Sequence, residues 1–166
     1  MPFMWEEKLK MERVTQIETK QIFGLNLFIN GKEKLQKWLY AECLELAAAL
    51  TAVELDPTEN HFREVYEEIA DVQVLLNQYA IFHRVDLNHK SNNSKQNFTG
   101  GNIWIADSLA ASGFVLAQYF DEFHYTRVRS VLNFLIKEEY PSEEIEDFYY
   151  KKIKKLKTRL DAGEFS

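Results

Sequence analysis

The chain is predicted to be an all-α protein, an antiparallel bundle of five to six helices forming one domain over residues 1–166. Apolar residues recur at steps of three and four through most of its length, the period of a helix with one buried face. Helix stop and start signals, Asn30-Gly31, Asp56-Pro57-Thr58-Glu59 and Pro141-Ser142, divide these stretches. With 166 residues and 46% hydrophobic content, the chain is large enough for one proper core and too short for two ordinary domains.

The first helix is expected over about residues 6 to 28, with Asn30-Gly31 as the break that follows it. The second, about 32 to 54, shows a stripe of Leu35, Trp38, Leu39, Cys43, Leu46, Leu50 and Val53. Asp56-Pro57-Thr58-Glu59 then reads as an acidic N-cap, proline at the first helical position and glutamate at the third, opening a helix that runs through about His83. Its stripe is Phe62, Val65, Ile69, Val72, Leu76 and Tyr79. Residues 86 to 101 are polar and aperiodic up to Gly100-Gly101, which fits either a plain linker or a connection whose end covers a site. Ile103 to about Phe120 and Tyr125 to about Lys137 are two further apolar helical runs. The last helix opens at Pro141-Ser142 with Glu143, Glu144, Glu146 and Asp147 and closes on lysines and Arg159, an order that complements the helix dipole. With it, residues of about 102 to 160 complete the bundle around the helices of 32 to 84.

Charge and cysteine content exclude several classes of function. A net charge of −6 argues against broad binding to a nucleic-acid backbone, which needs a basic surface. A single cysteine, Cys43, forbids an internal disulfide, and its place on an apolar helical stripe makes it a small core residue. The first residues hold acids where a signal peptide carries lysine, and no run approaches the ~18 apolar residues of a membrane span. A soluble, cytoplasmic protein with no membrane partner is expected.

Four carboxylates break this apolar pattern. Glu42 and Glu45 lie three residues apart on or beside the second helix's stripe, and Glu68 and Asp71 repeat that spacing along the margin of the third. A lone acid in such surroundings loses hydration at a cost unless something positive sits beside it, and no basic residue is near in sequence. If the two helices pack face to face, the four acids share one pocket. Crowded hard oxygen ligands repel one another unless a hard divalent cation neutralises them, and Mg²⁺ or Mn²⁺ is the ordinary choice.

The pattern Glu-x-x-Glu, a spacer of 22 residues, then Glu-x-x-Asp resembles the metal motif of the all-α nucleoside triphosphate pyrophosphohydrolases, which include MazG-like proteins and dimeric dUTPases. Glu67-Glu68-Ile69-Ala70-Asp71-Val72 followed by Gln73 to Tyr79 is similar to a MazG-like helix, and residues 33 to 84 carry the match. At the C-terminus, Tyr149, Lys152, Arg159 and Gly163 fall in register with the closing helix of dimeric dUTPases, but Ile153 and Leu156 stand where that pattern has asparagines. A basic helix closing many MazG-like proteins suits Lys151 to Arg159 equally.

The resemblance implies hydrolysis of a nucleoside triphosphate to the monophosphate and pyrophosphate. Glu42, Glu45, Glu68 and Asp71 would hold Mg²⁺ or Mn²⁺, with Glu42 or Glu45 as the general base. Lys152, Lys151, Lys155 and Arg159 would meet phosphate. By the same resemblance, Asn26, Trp38, Asn77 and Phe23 are candidates for contacting the base, although for Trp38, at helical spacing with Leu35 and Leu39, core packing is the favoured account. A homodimer or higher homo-oligomer is expected. Two other classes stay open: a non-catalytic helical interaction module, and a carboxylate-bridged di-iron oxidoreductase, for which Asp121-Glu122-Phe123-His124 supplies one Asp-x-x-His.

Overall fold

The computed structural model describes residues 16–85 and 100–163. Among them are six helices and no strand: α1 (Gln16–Asn30), α2 (Lys32–Leu55), α3 (Glu59–Phe82), α4 (Gly101–Leu116), α5 (Glu122–Phe134) and α6 (Ser142–Asp161). A π-turn, Leu135–Glu139, extends α5. The expected helical start over residues 6–15 and most of the polar connection, residues 86–99, lie outside the described residues.

Each boundary has a local cause. Gly31 takes a φ of 84°, a left-handed conformation that glycine adopts without strain, and so separates α1 from α2 with no intervening loop. The start of α3 differs from expectation. Thr58 is the N-cap, its hydroxyl accepting from the His61 N–H at 3.3 Å, and Glu59 is the first helical residue. Proline disfavours helical geometry in the residue before it, and Asp56 is engaged in ending α2: its N–H donates to the Ala52 carbonyl, while its own carbonyl accepts from the Thr58 N–H and meets His61 Nδ1. α4 stops at Leu116, short of Phe120, because Asp121 must be extended to cap α5; its Oδ1 accepts from the His124 N–H at 2.9 Å.

α2 packs most extensively against α4 and α3, α3 against α6, and α4 against α5, while α1 lies across α6, α2 and α3. The main core joins Leu39, Cys43, Leu46 and Leu50 of α2 to Val65, Ile69, Val72 and Leu76 of α3 and to Ile105 and Leu109 of α4. Cys43 is wholly buried, and Gly113 of α4 lies so close that an added Cβ would meet Cys43 Cβ at 3.0 Å. A second apolar cluster, Ile22 and Phe23 of α1, Val74 of α3, and Ile153 and Leu160 of α6, fastens α1 and α6 to the other side of α3. Between the two clusters α3 presents a polar edge. Among the described residues no helix is long and apolar enough to cross a membrane.

Candidate metal centre

Two helices deliver the acids and a third delivers the base-rich wall opposite. On α3, Glu68 and Asp71 flank the fully buried Ile69, Ala70 and Val72, so burying the apolar face draws both carboxylates half into the protein. On α2, Glu42 precedes the buried Cys43 and is likewise half-buried, whereas Glu45, rotated about 60° around the helix by the three-residue step, is exposed. One carboxylate oxygen from each of Glu42, Glu68 and Asp71 lies within 4.8 Å of the others. Three of the four expected acids thus converge; Glu45 stands at the rim, close enough to interact with Glu42.

The electrostatics follow from this crowding. Burial, a hydrogen bond with Glu45 and the charges of Asp71, Glu45 and Glu68 push the Glu42 carboxyl up to about 9. Burial together with Asp71 and Glu45 raises Glu68 to about 7, against the opposing effects of Glu42 and Lys152. Asp71 is raised by burial, with Lys152 acting the other way. Lys152 of α6 pairs with Asp71, Nζ to Oδ1 3.1 Å. Glu42 Oε2 and Glu68 Oε2 are buried without any hydrogen-bond partner. With all three acids ionised, one lysine leaves two negative charges uncompensated. A hard divalent cation matches both the oxygen-only donor set and that deficit, so the residues fit Mg²⁺ or Mn²⁺.

Two of the three acids open onto a cavity of about 390 Å³ between α1, α2, α3 and α6, within the range of small-molecule sites. Glu42 and Asp71 line it together with Asn26, Asn30, Trp38, Val74, Gln78, Lys152, Lys155 and Arg159. The basic side chains share a face because 152, 155 and 159 step by three and four along α6. Gln78 follows Asp71 by seven residues, which places it about 10 Å farther along the same face of α3. There an amide ladder crosses to α1. Asn30 Nδ2 donates to Asn26 Oδ1, Asn26 Nδ2 to Gln78 Oε1, both at 2.6 Å, and Gln78 Nε2 to the Val74 carbonyl. Because a carbonyl can only accept, Val74 sets the direction of all three amides. Trp38, half-buried one turn before Glu42, lines the same cavity with Lys34 Nζ 5.0 Å from its ring centre.

Several candidates from the sequence lie elsewhere. Asn77 is turned away from Gln78 and donates to the Tyr149 hydroxyl at 2.9 Å. Lys151, one step round α6 from Lys152, stands over the Phe148 ring in a separate groove with Arg63 and Asp147. Phe23 is core, only 3% exposed. Of the two residues replacing asparagines in the dUTPase-like register, Ile153 is wholly buried and Leu156 lines the cavity. Asp121 Oδ1 caps α5 by accepting from the His124 N–H, and His124 Nδ1 faces Ser112 Oγ at 3.0 Å, so the Asp-x-x-His serves a helix cap and a hydroxyl contact away from the acid cluster. Asn30 and Gln78 went unpredicted. Their signals were the four-residue step from Asn26 and the seven-residue step from Asp71, each a polar residue beside an apolar stripe. Comparison with family models, with curated proteins and with solved structures finds no match to this chain.

Proposed function

We propose that the protein is a divalent-cation-dependent nucleoside triphosphate pyrophosphohydrolase that releases the monophosphate and pyrophosphate. The observation that supports this best is the pair of orphaned, buried oxygens, Glu42 Oε2 and Glu68 Oε2, clustered with Asp71, where Glu42 and Asp71 line a cavity whose opposite wall is cationic. Acids without compensation oppose folding, and acids facing Lys152, Lys155 and Arg159 across one cavity suit a polyanion that arrives with its own cations. Glu42, Glu68 and Asp71 would hold Mg²⁺ or Mn²⁺, with Glu45 within reach. When bound, such an ion neutralises phosphate oxygens and makes the phosphorus more open to attack.

The chain's own residues divide the remaining work. Glu45, outside the tight trio and exposed to solvent, holds the attacking water and takes its proton on a carboxylate oxygen. Lys152, Lys155 and Arg159 bind the phosphate chain and steady the leaving pyrophosphate. Asn26, Asn30 and Gln78 offer donors and acceptors of fixed direction, and Trp38 a flat apolar surface, to the end of the substrate away from the acids.

The test is Mg²⁺-dependent pyrophosphate release from a panel of nucleoside triphosphates. Glu45→Gln and Asp71→Asn are expected to lose at least about a hundredfold in turnover, within the range general-base removal produces, while keeping the helical circular-dichroism signal. Undiminished turnover in either variant removes the proposed site, and failure of wild-type protein to turn over any nucleotide moves weight to a non-catalytic helical module.

A further inference from the structure

We propose that Lys152 is a place-holding cation: it occupies Asp71 until an anionic phosphate draws it off, so that divalent-cation binding and phosphate binding reinforce each other at this site. The inference rests on the metal centre described above and adds to it an order of events.

The geometry supports a competition. Lys152 Nζ stands 3.1 Å from Asp71 Oδ1, and Asp71 is one of the three acids whose oxygens converge within 4.8 Å. A divalent ion takes a carboxylate oxygen at about 2.1 Å, and an ammonium group held against that same carboxylate repels the incoming ion and claims part of its coordination. Glu42 Oε2 and Glu68 Oε2, by contrast, lie within the cluster with no hydrogen-bond partner. Only Asp71 of the trio is shown in an ion pair among the described residues.

Lys152 can also leave the cluster without moving any backbone. It projects from α6, whereas the acids belong to α2 and α3, and its four-carbon stem lets the charge move while the backbone stays fixed. It lines the same cavity as Lys155 and Arg159, so a phosphate lying against that wall offers Nζ an alternative partner of higher charge. Each ligand then removes an obstacle to the other: phosphate frees Asp71 for the cation, and the cation frees Lys152 for phosphate. Linkage makes the coupling reciprocal.

Mn²⁺ binding, followed through the paramagnetic resonance of the free ion, tests this without any turnover. Inorganic phosphate is the second ligand, because it chelates Mn²⁺ only weakly. Wild-type protein is expected to bind Mn²⁺ about tenfold tighter with phosphate present, a coupling of ordinary size. In Lys152→Met and Lys152→Gln, Mn²⁺ alone should bind tighter than in wild type, and phosphate should add clearly less than the wild-type tenfold, leaving only the direct attraction between ion and phosphate; Lys152→Arg, which keeps the charge, should retain the full coupling. A lysine that merely props Asp71 in place gives the opposite sign, weaker Mn²⁺ binding in both neutral variants, and that result overturns the proposal. Equal Mn²⁺ affinity in wild type and neutral variants overturns it too while leaving the metal centre standing, whereas wild-type protein that binds no Mn²⁺ at all removes the metal centre itself.

Discussion

Glu42→Gln should make the cation-free protein more stable while removing its response to divalent cations. The substitution preserves shape and deletes the charge at the most perturbed carboxyl of the cluster. Burial and its acidic neighbours raise Glu42 from an ordinary 4.5 to about 9, so between those values the folded protein holds a proton that the unfolded chain has released. Proton uptake on folding means that stability falls as pH rises through this window. At pH 8 the shortfall is 3.5 pH units of the window, at most about 5 kcal/mol at about 1.4 kcal/mol per unit. Glu42 is only half-buried, and solvent screening reduces this to about 2 kcal/mol. For a chain of this length, about 2 kcal/mol corresponds to a rise of about 4–8 °C in Tm. Scanning calorimetry at pH 8 in EDTA should therefore show the variant melting above wild type, the gap closing toward pH 5. Millimolar Mg²⁺ should raise the wild-type Tm and leave the variant nearly unmoved. A variant that melts at or below wild type in EDTA, with a gap insensitive to pH, refutes the claim that these acids are crowded against one another.

Three further outcomes follow from the packing. Thr58→Ala should cost about 1 kcal/mol through loss of the α3 cap, and Asp56→Ala less, since the Asp56 contact to Thr58 runs through its backbone carbonyl and its carboxylate meets His61 only at 3.8 Å on the surface; denaturant titration of both variants distinguishes the observed cap from the expected one. Gly113→Ala should lower stability by about 1–2 kcal/mol despite alanine's better helix propensity, because the new Cβ meets Cys43 Cβ at 3.0 Å across the α2–α4 contact; a Tm at or above wild type would mean that these helices part without cost. His83 is pushed down to about 4 by burial and by the nearby Lys32 charge, with its ring against Tyr79, Phe82 and Phe120. The unfolded chain then binds more protons between pH 4 and 6.5, and stability is lost as pH falls through that window. His83→Phe should flatten this acid-side slope in pH-dependent melting, and an unchanged slope assigns it to other groups.

The helices were legible where an apolar stripe ran unbroken. The expected 32–54 and 56–83 stretches match α2 and α3 closely, since each buries one continuous face in the main core. Boundaries were less legible where two signals competed. Asp56-Pro57-Thr58-Glu59 contains two potential caps, and what decided between them was that Asp56 was needed to end α2. The acid spacing also foretold that Glu42, Glu68 and Asp71 could meet, because i, i+3 pairs on facing helices have few other places to go. It did not separate Glu42 from Glu45, whose exposure depends on the rotation of α2 against α3. Lys152 and Lys151 are adjacent in sequence and identical in type, yet the 100° step between them sends one to Asp71 and the other to Phe148. Asn30 and Gln78 escaped because an amide ladder is a property of two helix surfaces brought together, α1 against α3, and no single stretch of sequence displays it.

The energetics of the acid trio also weigh between an enzyme and an interaction module. An interaction module needs its outer surface and its packing, and both would be served at least as well by a glutamine or an apolar residue at position 42. The structure instead keeps two carboxylate oxygens buried without partners and one carboxylate in an ion pair, next to a cavity of a size that suits a small molecule. Such an arrangement opposes folding in the absence of a ligand, and a fold held only a few kcal/mol above unfolding has little to spare for it. Strained or electrostatically unfavourable groups persist where function needs them, and they are the groups whose removal raises stability at the expense of activity. If Glu42→Gln, Glu68→Gln and Asp71→Asn all lose metal-dependent turnover while the first two gain thermal stability, the trio is a site held against the preference of the fold. If instead they lower stability with no metal dependence, the acids are structural and the helical module is the better account.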